Sequence, residues 1–515
     1  MGSFRTTRYQ DNADRTFGRM GHTTLRRTGL EAVLREASGR NLSLLEGKMG
    51  EREFRALKEG SGPEGIWNEV RTRGLSAEGK RIIPMSLGDP SAYPDYPSNA
   101  QVQQRMAELV KKGLREAARY TNSFGYPPLR EKLKSVSFAD PRSVLKDSAP
   151  FRGVEVYVTA GASDATEFAM APLLLTPSDA LLVHDWTYII HLGAAYFRGA
   201  HVESYDLRAD GRPDAASLSD VLSGSKMPGD REIQAVVFTP IGNPVGAAMT
   251  RDDIAAHLRI ISGEGQKQGR PIMAIVDIAY EPFRRDGAPL DPIEIAMAEK
   301  IPGPLIVLDT ASKGYGLCGW RMGKLAVYWP EGHFPDERHD YLKALENRML
   351  PKLGVVSVPA QMAFDSFFDA LRENPALMEE TIKFFESRRR SVNENLVRIA
   401  DALSGVPGLY LAKYYDHGGG NGGIDATTLS SFYLLFGFSR LLQREGSGFN
   451  QAVAFGEHCL RTSGMPIINC VPGQAFLPFK RLPNHPALIR VTGLTSAEDT
   501  QAFIEASGAY AKSLG

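Results

Sequence analysis

The middle of this chain alternates short apolar runs with longer stretches, and this alternation restricts the fold more than any other feature. The runs are VEVYV (154–158), ALLV (180–183), AVVF (235–238), IMAIV (272–276), LIVL (305–308) and KLAVY (324–328). Strands that are apolar on both faces must be covered on both sides, and the intervening stretches are long enough for crossover helices. The pattern predicts an α/β protein with a mainly parallel sheet.

Five of these runs are followed at once by small, polar or charged residues. The tails read TAGASDA, HDWTY, TPIGNPVG, DIAY and DTASKGYGLCGWRMG. In open α/β sheets, ligands bind beyond the carboxyl ends of the strands. We therefore expect the functional residues of this chain in these tails, and their convergence is stronger evidence than any one motif.

Composition narrows the class of protein. The 515 residues are too many for one ordinary core, so two or three domains are expected. Sixty basic and sixty acidic residues balance, which argues against a nucleic-acid partner or an anionic membrane. Three features predict a cytoplasmic protein. The three cysteines are widely spaced, no apolar run approaches twenty residues, and the polar N-terminus lacks the apolar core of a secretory signal. The spacing of His184, His191 and His201 fits no metal site.

The two ends of the chain differ from its middle. The first eighty residues are Arg-rich and polar with a few apolar positions at helical spacing, which indicates an arm packed on the body or on a partner subunit. The last 170 residues predict a second α+β unit. In it, a helical stretch at 358–405 precedes strands in GLYLAKYY, SFYLLFGF and ALIRVTGL. The glycine-rich segment 416–425 is either a surface loop or a lid.

Lys313 is the candidate nucleophile. Most lysines are solvated surface charges, but this one follows an apolar strand among small and hydroxyl residues. A lysine at a ligand crevice can lose its proton and attack a carbonyl. Arg321, eight residues later, can grip a phosphate through two parallel hydrogen bonds.

Asp277, Asn243 and Tyr280 also stand at strand ends. A carboxylate buried at Asp277 needs a cation, and a protonated ring nitrogen would serve; the alternative is a helix N-cap. Asn243 and Tyr280 are candidates to donate hydrogen bonds to a ring oxygen. The alternatives are that Asn243 is an ordinary turn residue and that Tyr280 packs in the core. Tyr188 is placed to stack on a flat ring, or to pack in the core. Gly161 and Ala162 let a phosphate approach a helix N-terminus.

These residues resemble the class I and II aminotransferase family of fold-type I enzymes that use pyridoxal phosphate. SKGYGLCGWRMG is similar to the family's lysine signature, Ser-Lys followed by Gly-Leu-x-Gly-Trp-Arg-x-Gly. Further matches follow in the family's order: LGDP (87–90), YTNSFGYPPLR (120–130), TAGASDA (159–165), NPVG (243–246), DIAY (277–280), PGQAF (472–476) and IRVTG (489–493). The resemblance covers about residues 85–495.

The resemblance implies a fold and a division into domains. The fold would be a mainly parallel seven-stranded sheet in a large domain with a smaller α+β domain beside it. The divisions would be an N-terminal extension (1–80), an N-terminal part of the small domain (81–119), the large cofactor-binding domain (120–345) and the C-terminal small domain (346–515).

It also implies a role for each matching residue. Lys313 would hold pyridoxal phosphate as a Schiff base and later shuttle a proton, while Asp277 would pair with the pyridine nitrogen. Asn243 and Tyr280 would bond the ring oxygen, and Tyr188 would stack on the ring. The residues around the phosphate would be Ala162, Ser163, Thr310, Ser312 and Arg321.

The resemblance also implies which residues contact the substrate and the partner subunit. Arg490 looks like the arginine that clamps the substrate α-carboxylate, with Gly88 and Asn243 beside it. Tyr120 is similar to the tyrosine that reaches the phosphate across a dimer interface, which implies a homodimer. Trp186 stands where the family usually has proline, so the wall at Tyr188 is expected to be reshaped.

The function implied is transfer of an amino group from an L-amino acid to a 2-oxo acid. The same residues also suit a non-transaminating enzyme of specialised metabolism, acting by γ-substitution or elimination on a substrate like S-adenosylmethionine, by decarboxylation or by oxidation. Residues 314–319 formally match the dinucleotide pattern GxGxxG, but no room for the required helix follows. A regulator with a DNA-binding head lacks both a helix-turn-helix pattern and a basic footprint.

Overall fold

The structure is a computed structural model that describes residues 81–515, apart from 87, 94, 114, 177, 225–230, 286, 353–355, 413–429, 443–449 and 479–487. The N-terminal extension (1–80) and the glycine-rich segment 416–425 lie outside the described residues. Both predictions about them therefore stay predictions.

Strands and helices alternate along most of the described chain. The strands are β1 Ile82–Ile83, β2 Glu155–Thr159, β3 Asp179–His184, β4 His201–Tyr205, β5 Glu232–Phe238, β6 Met273–Asp277, β7 Leu305–Thr310, β8 Gly323–Tyr328, β9 Leu409–Leu411, β10 Tyr433–Phe438, β11 Ile467–Ile468, β12 Val471–Pro472 and β13 Ile489–Thr492. The α-helices are α1 Ala100–Lys112, α2 Pro127–Lys132, α3 Gly161–Met170, α4 Ile189–Tyr196, α5 Ala215–Leu222, α6 Arg251–Gln268, α7 Pro292–Ala298, α8 Ala311–Gly314, α9 Pro335–Met349, α10 Val358–Glu373, α11 Pro375–Ser404, α12 Asn450–Arg461 and α13 Ala497–Ser513.

A seven-stranded sheet forms the centre of the molecule, in the order β2-β8-β7-β6-β5-β3-β4. Neighbouring strands run parallel except β8, which is antiparallel to both β2 and β7. Each residue of β3, β6 and β7 is buried, because helices cover both faces of the sheet. The predicted α/β fold with a mainly parallel seven-stranded sheet is confirmed.

All six apolar runs form strands of this sheet, but the sequence did not locate the seventh. Strand β4 reads HVESY and lies at the sheet edge beside β3. An edge strand tolerates polar residues, and Glu203 of β4 pairs with Arg231 at 2.7 Å. A search for apolar runs therefore misses it.

The helical stretch expected at 358–405 forms two helices rather than one. Asn374 ends α10 and caps α11, accepting hydrogen bonds from the amides of Ala376 and Leu377. Pro375 occupies the first turn of α11, where its missing N–H costs nothing, whereas inside a helix it would remove a hydrogen bond. Proline thus sets the break.

A second, four-stranded antiparallel sheet is built from the C-terminal region, in the order β12-β13-β10-β9. Strand β1 pairs in parallel with β11, which joins the start of the described chain to its C-terminal part. The domain boundaries proposed from the sequence stay predictions. Within the described ranges, no helix is both long enough and apolar enough to cross a membrane.

A buried ion pair fixes the turn that follows β6. Glu281 and Arg284 are 0% and 2% exposed, and the guanidinium donates two hydrogen bonds to the carboxylate, at 2.7 and 2.8 Å. The amide of Leu290 also donates to Glu281, at 2.9 Å. Because Tyr280 directly precedes this pair, the pair holds Tyr280 at the carboxyl end of the sheet.

Replacing Glu281 with alanine is expected to destabilise the protein by about 3–5 kcal/mol, because Arg284 would keep a buried charge without its carboxylate. Urea unfolding measures the change. The matched control is Glu379→Ala, which breaks an exposed pair with Lys383 and should cost at most about 0.5 kcal/mol. Equal losses in the two variants would contradict the role given to the buried pair.

Candidate active site

A cleft of about 820 Å³, partly open to solvent, lies at the carboxyl ends of the parallel strands. The lining residues are Gly88, Asp89, Ala162, Ser163, Tyr188, Thr239, Asn243, Asp277, Ala279, Tyr280, Thr310, Ser312, Lys313, Cys318 and Arg321. Residues far apart in sequence thus meet in one place, at the strand ends that the sequence indicated.

Lys313 projects into this cleft from the short helix α8 after β7. Its Nζ donates a hydrogen bond to the carbonyl of Gly88 and lies 5.8 Å from the centre of the Tyr280 ring. The ammonium group is therefore held by a neutral backbone oxygen rather than paired with a carboxylate at contact distance. Such an amine remains accessible to a carbonyl compound in the cleft.

Four neighbouring side chains affect the pKa of Lys313, and Asp89 is the acidic one among them. Burial alone would lower the pKa of Lys313, but Cys318, Tyr433, Tyr188 and Asp89 together raise it. Burial raises the pKa of the Cys318 thiol to about 11 and the pKa of Tyr188 above its usual value. Both are therefore neutral at pH 7. Burial would raise the pKa of Asp89, but hydrogen bonds from Ser91 and Cys318 outweigh it and lower this pKa, so the Asp89 carboxylate is the charge that acts.

Asp277 ends β6 and is 7% exposed. One carboxylate oxygen accepts the amide hydrogen of Ala279 at 3.0 Å within the turn after β6, and Asp277 is not the N-cap of the helical turn Glu281–Phe283 that follows. The other carboxylate oxygen lies 3.2 Å from Nε2 of His191, whose Nδ1 is 3.2 Å from the hydroxyl of Thr187. The carboxylate is thus fixed in orientation while it lines the cleft.

Asn243 joins the cleft to the C-terminal sheet. Its Oδ1 accepts from Arg490 at 2.9 Å, and its Nδ2 donates to the Tyr280 hydroxyl at 3.5 Å. Arg490 is 7% exposed and also donates to the carbonyl of Ser86 at 2.6 Å. The rings of Tyr433 and Phe476 lie 4.1 and 4.8 Å from its guanidinium carbon. Arg490 therefore lies behind Asn243, buried between two aromatic rings.

The N-terminus of α3 and Arg321 form an anion-binding corner of the cleft. Arg321 has a left-handed backbone (φ 52°) and donates to the carbonyls of Ala160 and Cys318, at 2.8 and 3.0 Å. Gly161 also has a positive φ of 78°, and a Cβ there would lie 2.7 Å from the Arg321 guanidinium. A helix N-terminus beside a guanidinium is a favourable place for a phosphate.

Two hydroxyls complete that corner. The hydroxyl of Thr310 lies 2.8 Å from that of Ser312 and donates to the carbonyl of Met322 at 2.9 Å. It also caps α8 by accepting from the Ser312 amide. Thr310 and Ser312 line the same cleft as Ala162 and Ser163.

Three residues singled out from the sequence lie outside the cleft. Tyr120 is 86% exposed on the surface. Trp186 is fully buried with φ 56°, and it packs in a hydrophobic cluster that includes residues of the C-terminal sheet. Its side chain is not among those lining the cleft, while Tyr188 is. Arg490 is not among the lining residues but contacts Asn243, which is one of them.

Four residues at the site were not singled out from the sequence: Asp89, Thr239, Cys318 and Tyr433. His191 also gains a role, because it contacts Asp277. Asp89, Thr239 and Cys318 line the cleft. Nε2 of His184 lies 3.0 Å from the Thr239 hydroxyl. Asp89 and Cys318 lie within the motifs LGDP and SKGYGLCGWRMG, and their place in these motifs was the available signal. Tyr433 gave no signal, because its sequence neighbours read as an ordinary strand.

Comparison with known proteins agrees with this geometry. The family model described as aminotransferase class I and II matches residues 86–413. The chain belongs to this family. Tyrosine aminotransferase of Bos taurus is 25% identical over 330 residues, covering 64% of this chain and 66% of the relative. S-alkyl-thiohydroximate lyase SUR1 of Arabidopsis thaliana is 24% identical over 330 residues, covering 64% of this chain and 63% of the relative. The match thus spans about two thirds of these relatives' lengths.

Solved structures of family-like proteins share the fold. Alanine aminotransferase from Pyrococcus furiosus superposes with a TM-score of 0.66 at 20% identity, covering 87% of this chain and 97% of that one. The expected aminotransferase-like fold and family are both confirmed.

The family depends on pyridoxal phosphate in general, and the cleft fits this cofactor. The corner at Gly161 and Arg321 suits its phosphate, and a Cβ at residue 161 would push the guanidinium out of place. Asp277 offers a carboxylate for a protonated ring nitrogen, and Tyr280 with Asn243 offers donors for a ring oxygen. Among the described residues, buried Nε of Arg490 has no hydrogen-bond partner.

Gly161→Ala is expected to weaken binding of pyridoxal phosphate about tenfold or more, because the strained backbone and the contact at 2.7 Å would displace Arg321. Titration of the apo-protein with the cofactor, followed by absorbance, measures it. Gly263→Ala is the matched control. It lies inside α6 with nothing within 4 Å of its added Cβ, so it should leave cofactor affinity unchanged and stabilise by about 0.5–1 kcal/mol.

Asp89→Asn should shift cofactor loading to lower pH. Only the deprotonated amine of Lys313 attacks a carbonyl, so loading accelerates as pH rises toward the pKa of Lys313. The substituted amide would keep the cap on Ser91 but remove the negative charge that raises this pKa. Stopped-flow rates at a series of pH values measure the profile. An unchanged profile would show that Asp89 does not set the charge of Lys313.

Proposed function

We propose that this chain is a pyridoxal-phosphate-dependent aminotransferase that moves an amino group from an L-amino acid to a 2-oxo acid, with Lys313 as the attachment point of the cofactor. The observation that carries the proposal is the cleft itself. A lysine, a capped carboxylate and a guanidinium beside a helix N-terminus converge there within a chain of the aminotransferase family.

The residues of the chain divide the work of this reaction. When bound, pyridoxal phosphate supplies an electron sink next to the substrate Cα. Arg321 and the N-terminus of α3 would hold the phosphate end, and Asp277, fixed by the Ala279 amide and His191, would pair with the ring nitrogen. Tyr188 would pack beside the ring.

Lys313 and Arg490 act on the substrate end. Arg490 binds the α-carboxylate that every amino acid carries, and its burial between two rings strengthens the pairing by excluding water. The free amine of Lys313 would take a proton from the substrate Cα, hold it as an ammonium group, and deliver it to the cofactor carbon that the amino group joins. The carbonyl of Gly88 orients this amine.

We further propose a cytoplasmic homodimer in which Tyr120 reaches the phosphate corner of the partner subunit. Two observations support this. A tyrosine side chain that is 86% exposed has its apolar ring in water unless another surface covers it. The three cysteines are free thiols, as suits a reducing compartment.

The test loads purified protein with pyridoxal phosphate, adds single L-amino acids including L-tyrosine, and measures 2-oxo acid and pyridoxamine phosphate. Both should form in equal amounts and regenerate the starting cofactor when a 2-oxo acid is added. In Lys313→Ala, borohydride should no longer fix the cofactor to the chain, and turnover should fall by at least about a thousandfold. Lys383→Ala, an exposed lysine, is the control. A loaded protein that forms neither product from any amino acid would refute the proposal.

A second candidate has its own support. The relative SUR1 is named a lyase, although its sequence matches this chain about as well as the bovine aminotransferase does. The same cleft in this chain would then release a leaving group from the substrate, by elimination or γ-substitution. Release of such a group without pyridoxamine phosphate would favour this candidate over amino transfer.

A further inference from the structure

Tyr433 touches the candidate site from behind. It begins β10 in the C-terminal sheet and is 2% exposed, and its hydroxyl lies 3.0 Å from that of Tyr280. It does not line the cleft, whereas Tyr280 does. The hydrogen-bond route from Tyr433 to the cleft therefore runs through Tyr280.

The surrounding hydrogen bonds decide which hydroxyl donates. Arg490 donates to Oδ1 of Asn243, so the amide is oriented with Nδ2 toward the Tyr280 oxygen. In the described part of the chain, the Tyr433 hydroxyl has Tyr280 as its hydrogen-bond partner. If Tyr280 donated to Tyr433, the Tyr433 proton would be buried without an acceptor, which is costly. Donation from Tyr433 avoids that cost.

We propose that Tyr433 is a positioning residue that donates to the Tyr280 oxygen and thereby directs the Tyr280 proton into the cleft, toward the ring oxygen of bound pyridoxal phosphate. The inference rests on the proposed function. Burial, and then Tyr433, raise the pKa of Tyr280 well above its usual value, so Tyr280 keeps its proton and remains a donor.

Gly88 closes the space above the two hydroxyls. A Cβ at residue 88 would lie 1.7 Å from the Tyr433 oxygen and 3.5 Å from the Tyr280 oxygen. The backbone that receives the Lys313 hydrogen bond therefore packs directly on the Tyr433 hydroxyl. Only glycine leaves room for this arrangement.

The ring and the hydroxyl of Tyr433 have separate effects. The ring packs on the Arg490 guanidinium at 4.1 Å, so it supports the group that binds the α-carboxylate. The hydroxyl contacts Tyr280. Phenylalanine at this position removes only the hydroxyl, and leucine removes both.

Several other ionisable groups surround this tyrosine. They are Tyr93, Tyr188, Tyr280, Lys313 and Arg490. All of them are unchanged in Tyr433→Phe, so a pH shift in that variant reports the loss of one hydroxyl.

The test is a pH titration of the visible absorption of cofactor-loaded protein without substrate. A donor to the ring oxygen stabilises its anionic form and weakens proton binding at the nitrogen joined to Lys313. Tyr280→Phe should therefore move the midpoint to higher pH, and Tyr433→Phe should move it the same way by about half a pH unit. In a Tyr280→Phe background, Tyr433→Phe should add no shift.

Three controls make the result specific. Tyr410→Phe, on the neighbouring strand β9, should leave the midpoint unchanged. Tyr433→Leu should raise KM for the amino donor several-fold, while Tyr433→Phe should leave KM within about twofold. Far-UV circular dichroism and thermal unfolding establish that each variant folds.

An unmoved midpoint in Tyr433→Phe, or a shift that persists without the Tyr280 hydroxyl, would overturn the inference. Either result would leave the proposed function intact, because the unsubstituted protein would still show its visible band. If no variant and no unsubstituted protein acquires a band with pyridoxal phosphate, the proposed function and this inference fall together.

Discussion

The buried guanidinium of Arg490 holds the candidate site together. From β13 it reaches Asn243 at the end of the large sheet and the carbonyl of Ser86 near the start of the described chain. A buried charge persists only where hydrogen bonds and packing offset its desolvation, and here two aromatic rings and two oxygens do so. Because one arginine contacts three distant segments, the orientation of the Asn243 amide, and through it that of Tyr280, depends on correct docking of the C-terminal sheet.

Hydrogen bonds from neighbouring groups also hold the other polar side chains of the cleft. Asp277 is held by a backbone amide and a histidine, and Lys313 by a backbone carbonyl. The contacts that fix Asp277 and Lys313 leave both side chains lining the cleft. Fixing groups before a ligand arrives is how binding sites avoid the entropic cost of ordering them later.

Much of this arrangement was predictable from the sequence, since parallel strands place their polar tails at one edge. Lys313, Asp277 and Arg321 stand directly after or near strands of the large sheet, and the structure brings them into one cleft.

Other features were not predictable. The edge strand β4 lacks an apolar run, and the helix after residue 358 is broken by Pro375. Tyr433 contacts Tyr280, which lies 153 residues away in the sequence, and no sequence periodicity predicts such a contact. Trp186 packs in the hydrophobic cluster against which Tyr188 also packs, so the expected change in the wall beside Tyr188 stays a prediction; the left-handed backbone of Trp186 gave no sequence signal.

The long separation between Gly88, Lys313 and Arg490 bears on how the protein matures. During synthesis the large sheet is complete once β8 has emerged, yet the segments that fix Asn243, Tyr280 and the residue 88 backbone come from β10 and β13. A nascent chain cannot assemble the whole cleft until its final strand has left the ribosome. The hydrogen bonds that orient Asn243 and Tyr280 are therefore the last part of the site to form, and a prematurely terminated product that ends before β13 would carry Lys313 without Arg490.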